Sequence, residues 1–422
     1  MNISYVEIDN FRCFNHLEMS LKDNVTAIIG ENGVGKSALL DAISACLGIG
    51  INEGLTHSIE LKDEDVRKTV SRLHAISDTK VHFPMSIKCS ANTDRGFTSW
   101  IINCNTKFDV PRSPRSWYSE ELEKMANDTS KILPVVAYYR ADRNWPHKSI
   151  VLTIGSYRKR LDGYINALHH KIDEDGAIEW IGRKSRSRSI SDDDQLTNVI
   201  AAMAECFKRC NPGSSEINIY FSHTNGGLAI NYKDKYGNLH ISMFNELSNG
   251  IRNLLSLIAD LATRMSKLNG RLVPDALKDT SGVVLIDDIE NGLHPNTQRY
   301  IVDILTTIFP KVQFIITTNS PQVISSITAG NVVSINDDSS GVTDYGSTFG
   351  NKDSNSILST IMNTLERPDN VQQIFYNFFD SLCSENYVKA RMILDNLKKI
   401  LGERDVSVLS AESVLDHYIS FF

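Results

Sequence analysis

The residues with the clearest chemistry are Gly30-Glu31-Asn32-Gly33-Val34-Gly35-Lys36-Ser37, which match the spacing GxxxxGK[ST]. Each part of that pattern has a mechanical job. Glycines let the backbone turn tightly and approach an anion closely. Backbone N–H groups and the N-terminus of a following helix cradle phosphates. A lysine reaches the terminal phosphates and a serine hydroxyl is offered to a divalent cation. The ligand expected on Gly30–Ser37 is therefore ATP with Mg²⁺. Far downstream, Val283-Val284-Leu285-Ile286-Asp287-Asp288 is an apolar run ending in acid. It predicts a buried strand that presents Asp287 to the same cation as Ser37. Between the two lies Leu247-Ser248-Asn249-Gly250-Ile251-Arg252. Ser248, Asn249 and Gly250 open a predicted helix, where a hydroxyl and exposed N–H groups suit an anion.

The flanking patterns predict elements able to hold these residues in place. Val25-Thr26-Ala27-Ile28-Ile29 precedes the glycine loop as a buried strand, and Leu39, Leu40, Ile43 and Leu47 follow at helical spacing over 37–47. Strands are also expected within 3–29, 81–110, 133–139 and 217–244, and again at Gln313–Thr318. Long helices are expected near 249–267 and 296–308. Segment 155–215 differs in kind. It has helical spacing in YRKRLDGYINALHHKI, then a polar run with Arg183, Lys184, Arg186 and Arg188 ahead of Asp192, Asp193 and Asp194, then a second helical stretch. It is expected to be a helical insertion with a mobile loop at 182–194, its basic run a solvated loop or a contact to a nucleic-acid backbone.

The 422 residues exceed one small domain, and a 41% hydrophobic and 23% charged composition is ordinary for a globular protein. Net charge is −7, so the chain is no basic nucleic-acid coat and any such contact must be local. No apolar run spans a bilayer and no signal peptide is read at the start, so a cytoplasmic, membrane-free setting is expected. The seven cysteines form no CxxC pair, and Cys206 and Cys210 fit core packing on a helix.

The opening VEIDNFRCF with IIGENGVGKSALLDAI resembles the RecF/SMC-like branch of ABC ATPases, as do LIDDIENGLHPNTQ and FIITTNSPQVI. LSNG resembles the LSGGQ-type signature of that class. AYYRADRNW, RLDGYINALHHK, LSNGIRNLLSLIADLATRM and YGSTFGNKDSNSILSTIMNTLERPDNV resemble the PtuA family, the ATPases of Septu anti-phage defence systems that also occur with retrons.

The resemblance implies an α/β fold: an ABC-type P-loop ATPase head with a helical insertion and a helical C-terminal tail. The expected divisions are 1–154 and 216–352 for the two parts of the head, 155–215 for the insertion, and 353–422 for a tail that docks a partner. It further implies a homodimer or higher oligomer through ATP-bound heads, with Ser248 and Gly250 of one copy closing over the γ-phosphate held by the other. The implied partners are an HNH-type nuclease and, in a retron setting, a reverse transcriptase with its RNA–DNA product.

Two positions depart from the family pattern. Asp288 stands where the family has the glutamate that activates water, and Asn319 stands where it has histidine. Aspartate is one methylene shorter, and asparagine cannot become cationic. Glu290, two residues on, is the candidate replacement base. No glutamine is assigned to the Q-loop. One reading is retained hydrolysis; the favoured one is slow hydrolysis, with ATP held as a clamp. The alternative functions are a RecF-like DNA-repair or DNA-end-sensing ATPase and an OLD-like nuclease. The latter is disfavoured because Asp337 and Asp338 lie in a polar turn and no Toprim-type acidic strand end follows.

Overall fold

The computed structural model describes residues 1–51, 56, 61–73, 76–93, 96–106, 117–128, 130–141, 160–169, 172–186, 190–270, 275–328, 330–336, 341–350, 352–361 and 367–420. It divides into two compact units, Met1–Lys352 and Asp353–Phe422.

The first unit opens with β1 (Asn2–Phe11), β2 (Phe14–Ser20), β3 (Val25–Ile29) and helix α1 (Lys36–Ile51). There follow β4 (Lys68–Leu73), β5 (Ile76–Val81), β6 (Met85–Thr93), β7 (Gly96–Cys104), α2 (Trp117–Asn127) and β8 (Val135–Tyr139). Helices α3 (Glu174–Lys184) and α4 (Ile190–Cys210) come next, then β9 (Ser215–Ser222), β10 (Gly227–Lys233) and β11 (Leu239–Met243). The unit continues through α5 (Asn249–Asn269), α6 (Ala276–Asp279), β12 (Gly282–Ile286), α7 (Pro295–Gln298), α8 (Ile301–Ile308), β13 (Val312–Thr317), α9 (Pro321–Ser326), β14 (Asn331–Ile335) and β15 (Val342–Gly346). The second unit is helical: α10 (Ser354–Thr360), α11 (Asp369–Cys383), α12 (Tyr387–Leu401) and α13 (Val406–Ser420).

The central sheet runs β15-β14-β3-β13-β12-β8 and is parallel except for β15. Continuous apolar runs such as Val25–Ile29, Val135–Tyr139 and Gly282–Ile286 are buried along their whole length, as strands covered on both faces must be. An antiparallel sheet, β2-β1-β6-β7, packs against α1. The three-stranded sheet β11-β10-β9 leads into α5. Because β3, β13, β12 and β8 are parallel neighbours, their carboxyl ends open on one edge, where open α/β sheets bind ligands.

Two local expectations need correcting. Leu161–Tyr164 is a short 3₁₀ turn followed by further turns, not a helix; Arg160 holds it by donating to the Leu268 carbonyl at 2.8 Å and the Lys131 carbonyl at 2.7 Å. Within the expected loop at 182–194, the described residues at both ends are helical: Arg183 and Lys184 end α3, and Asp192–Asp194 lie in the first turns of α4. Acids near a helix N-terminus are favoured by its dipole. Residues 142–159 and 337–340, and with them Asp337, Asp338 and the DRNW of AYYRADRNW, lie outside the described residues, as does Arg188. Among the described residues no helix is long and apolar enough to cross a membrane, and no cluster of three His, Cys, Asp or Glu side chains could hold a metal. Cys206 is buried on α4.

Candidate nucleotide site

Glycine at 35 is dictated by packing. Its φ is +108°, and a Cβ there would stand 2.4 Å from Cys13 Sγ and 2.6 Å from Phe14 Cζ. The β1–β2 turn thus presses the loop against the start of α1. Lys36 is buried, and its ammonium folds back to donate to the carbonyls of Gly30 at 2.7 Å and Glu31 at 3.0 Å. Burial lowers its pKa, while Asp288, Asp287 and Glu290 pull the other way. A lysine among these carboxylates is positioned to leave its backbone acceptors for an anion.

Ser37 Oγ donates to Asp287 Oδ2 at 2.7 Å across 250 positions of sequence. The other Asp287 oxygen accepts from Thr317 Oγ1 at 2.6 Å, and the same hydroxyl accepts from the Asp288 amide at 2.7 Å. One threonine at the end of β13 therefore fixes both acids at the end of β12. Asp288 adopts φ +44°, a left-handed conformation that Asp tolerates better than most residues.

Glu290 lies beside them with both oxygens engaged. It accepts from Thr318 Oγ1 and from the Asn319 amide, each at 2.7 Å. Asn319 Nδ2 in turn donates to Asn32 Oδ1 at 3.4 Å, which brings the end of β13 to the tip of the glycine loop. Glu31, Asn32 and Gly33 are exposed at that tip.

Beneath the loop, Asp41 is buried one turn along α1 from Ser37 and accepts from Arg12 Nη1 at 2.6 Å and Tyr138 OH at 2.7 Å. Burial works against the Arg12 charge, but Asp41 and Asp65 outweigh it and raise its pKa. Helix α1 is thereby pinned to β12 through Ser37 and to β8 through Asp41. On the opposite face, Tyr139 OH donates to Asp260 at 2.8 Å, and Arg264 pairs with Asp260 at 2.9 Å with both side chains 5% exposed.

Ser248 and Gly250 are not in this cluster. They line a groove of about 590 Å³ with Gly292, His294, Arg209 and Tyr300, and none of residues 30–37 contributes to it. Ser248 is the N-cap of α5, yet its side chain makes no capping bond. Gly250 is buried, and a Cβ there would stand 2.2 Å from the Gly292 carbonyl. Arg252 pairs with Glu174 of α3, and Ser256 Oγ donates to the same carboxylate at 2.6 Å.

The candidate residues thus lie in two places. The loop, Ser37, Asp287, Asp288, Glu290 and Asn319 come together, while Ser248, Asn249 and Gly250 form a separate groove. Sequence reasoning missed Thr317, Thr318, Asp41 and Tyr138. The threonine pair ahead of Asn319 was visible, but a threonine's partner is not written in its own neighbourhood.

Comparisons with known proteins agree with this architecture. An AAA-domain family model matches residues 5–211, and a second AAA-domain model, described with an AbiEii toxin of a type IV toxin–antitoxin system, matches 148–325. The chain is 24% identical to the retron Vc95 probable ATPase of Vibrio cholerae over 79% of this chain and 73% of that protein. It is 25% identical to the retron Ec83 probable ATPase of Escherichia coli, covering 79% and 71%. It is 20% identical to the Septu protein PtuA of Bacillus thuringiensis, covering 79% and 75%. Among solved structures, an SMC head bound to the C-terminal winged-helix domain of ScpA matches with a TM-score of 0.52 at 16% identity, over 82% of this chain and 98% of that one. The fold is that of an SMC-like P-loop ATPase head with added C-terminal helices.

Proposed function

We propose that this chain, a distant homologue of the retron and Septu ATPases, binds ATP at Gly30–Ser37 and uses it to assemble and regulate a partner nuclease in an anti-phage defence system. The observation that carries the nucleotide reading is the 2.7 Å hydrogen bond from Ser37 to Asp287 at the carboxyl edge of a parallel sheet. It sets a hydroxyl and a carboxylate side by side at the start of α1, next to a buried lysine. Those two hard oxygen donors fit Mg²⁺, which uses few protein ligands and takes the rest from water and substrate phosphates. Mg²⁺ bound by Ser37 and Asp287 would neutralise phosphate charge.

The chain's own residues then have these roles. Gly30–Gly35 and the N-terminus of α1 cradle the phosphates, and Lys36 turns from the loop carbonyls to the terminal phosphate. Asp288 occupies the position from which a base takes a proton from water. Asn319, held by Glu290, orients the water or the phosphate without carrying charge. Glu290 acts through Asn319, since its two oxygens are already engaged by the Asn319 backbone N–H and by Thr318 Oγ1. The weaker base position and the neutral Asn319 favour slow hydrolysis and a long-lived ATP-bound state.

The separation of the Ser248–Gly250 groove from the loop supports a two-copy arrangement, in which the groove of one head meets the nucleotide on the other. The expected nuclease partner is of HNH type, with a reverse transcriptase and its RNA–DNA product in a retron setting. The helical unit Asp353–Phe422 is the proposed docking element. The test is native purification from the host, with bound nucleotide measured and co-eluting chains identified by mass spectrometry. ATP and a nuclease are expected; a nucleotide-free chain with no nuclease would overturn the reading.

A further inference from the structure

Strand β8 lies beside β12 in parallel register, with Tyr139 opposite Ile286. Beyond the register the pairing continues: the Asp287 amide donates to the Tyr139 carbonyl at 2.8 Å. Two residues later, Asn291 Nδ2 donates to the Ala141 carbonyl at 2.7 Å. Arg140 is therefore bracketed. The carbonyl of the residue before it is tied to Asp287 and the carbonyl of the residue after it to Asn291. It is held one strand spacing, ~4.8 Å, from the acid that meets Ser37.

The face it takes follows from the strand's alternation. Tyr139 points to α5, where it bonds Asp260, and Tyr138 points to α1, where it bonds Asp41. Residues two apart share a face, so Arg140 continues on the α1 side, the side from which Lys36 and Ser37 serve the site. Its charge registers there. Burial, and then Asp41, push the Tyr138 hydroxyl pKa up, and Arg140 opposes them.

The charge balance gives this position a task. Asp287, Asp288 and Glu290 all act electrostatically on Lys36. A polyanion entering beside three carboxylates gains from a second cation, and a guanidinium suits phosphate oxygens through its planar fork of donors. We propose that Arg140 is a phosphate-binding residue of this site, contacting the terminal phosphate of a bound nucleoside triphosphate from the β8 side. The inference rests on the nucleotide reading above and extends it to a position where the sequence offers no glutamine.

The experiment is equilibrium binding of ADP and of a non-hydrolysable ATP analogue, with Mg²⁺, to the full chain and to Arg140→Ala, Arg140→Gln and Arg140→Lys. Loss of a charge-assisted contact to the terminal phosphate should weaken the triphosphate by about tenfold or more in Arg140→Ala and Arg140→Gln. ADP affinity should stay within about twofold, and Arg140→Lys should recover part of the loss. Equal weakening of both nucleotides, or no weakening of either, overturns the role of Arg140 while leaving the site intact. A wild-type chain that binds neither nucleotide overturns the nucleotide reading itself. Should Arg140→Ala fail to fold, Arg140→Gln, which keeps a polar side chain without the charge, decides.

Discussion

The carboxylate of Glu290 holds the amide of Asn319 at 2.7 Å, and its second oxygen holds Thr318 Oγ1 at the same distance. A residue two places past Asp288 thus sets the loop after β13 instead of facing the site alone. Glu290→Gln replaces one acceptor with an N–H₂ that meets a donor. Hydrogen bonds to charged groups are worth about 1.5–3 kcal/mol, so a stability loss of that order is expected with a roughly tenfold slower single turnover. A rate loss beyond ~10², with unchanged melting, would instead assign Glu290 as the base.

Lys36→Ala should abolish nucleotide retention while leaving the fold in place. The lysine's own bonds are to the loop carbonyls of Gly30, which is half-buried, and Glu31, which is exposed. Calorimetric titration with ATP and a circular dichroism melt separate the two effects. Unchanged affinity would show that the loop is not the nucleotide site.

Gly250→Ala places a methyl group where the Gly292 carbonyl stands, at 2.2 Å. Backbone must move, and overpacking of this kind costs about 1–3 kcal/mol. The start of α5 should shift away from the 292 turn, so ATP-dependent dimerisation should weaken even though ATP still binds one head. Analytical ultracentrifugation with and without ATP reads this directly; dimerisation equal to wild type would count against a role for the groove in closure.

In the tail, Leu397 is fully buried and Ile393 and Leu401 pack against the same core, formed with Phe378 of α11 and Val408 of α13. These apolar side chains therefore close the unit on itself. Val388 and Met392, 76% and 69% exposed one turn apart on α12, together with Tyr376 and Phe379 of α11, remain outside it. Deleting 353–422 should leave ATP binding intact and remove the co-purifying nuclease, and Val388→Asp with Met392→Glu should do the same without disturbing the core. Retention of the nuclease by both variants would place its docking site on the head.

The parallel strands were legible because their apolar runs are local: VTAII, GVVLI and VQFIIT need no partner to be recognised. The glycine loop was legible because spacing alone encodes its backbone. Thr317, Asp41 and Tyr138 were not, because their meaning is a contact between segments far apart in the chain. The 3₁₀ turn at Leu161–Tyr164 misled for the same reason. Its apolar residues have helical spacing, but the Arg160 contacts that hold the turn come from distant backbone carbonyls.

Asp288 and Asn319 stand where the family resemblance puts glutamate and histidine, and each is held by a neighbouring segment: Asp288 by Thr317 at the end of β13, Asn319 by Glu290 in the turn after β12. In the proposed function Lys36, Ser37, Asp287 and the Ser248–Gly250 groove supply the parts that hold a γ-phosphate. What is weakened is activation and placement of water, a contribution commonly worth ~10²–10⁴-fold. A protein that cycles through ATP to do work loses output in proportion, whereas one that holds an assembly together gains lifetime. Asp288→Glu lengthens the base by one methylene, and Asn319→His restores a group that can carry charge. The double variant should raise single-turnover hydrolysis by about tenfold or more and shorten the life of the ATP-bound dimer. The measurements are quench-flow hydrolysis of pre-bound ATP and dimer dissociation after ATP is withdrawn, each against wild type. Fast wild-type turnover that the double substitution leaves unchanged would remove the clamp and return the chain to cycling ATPases.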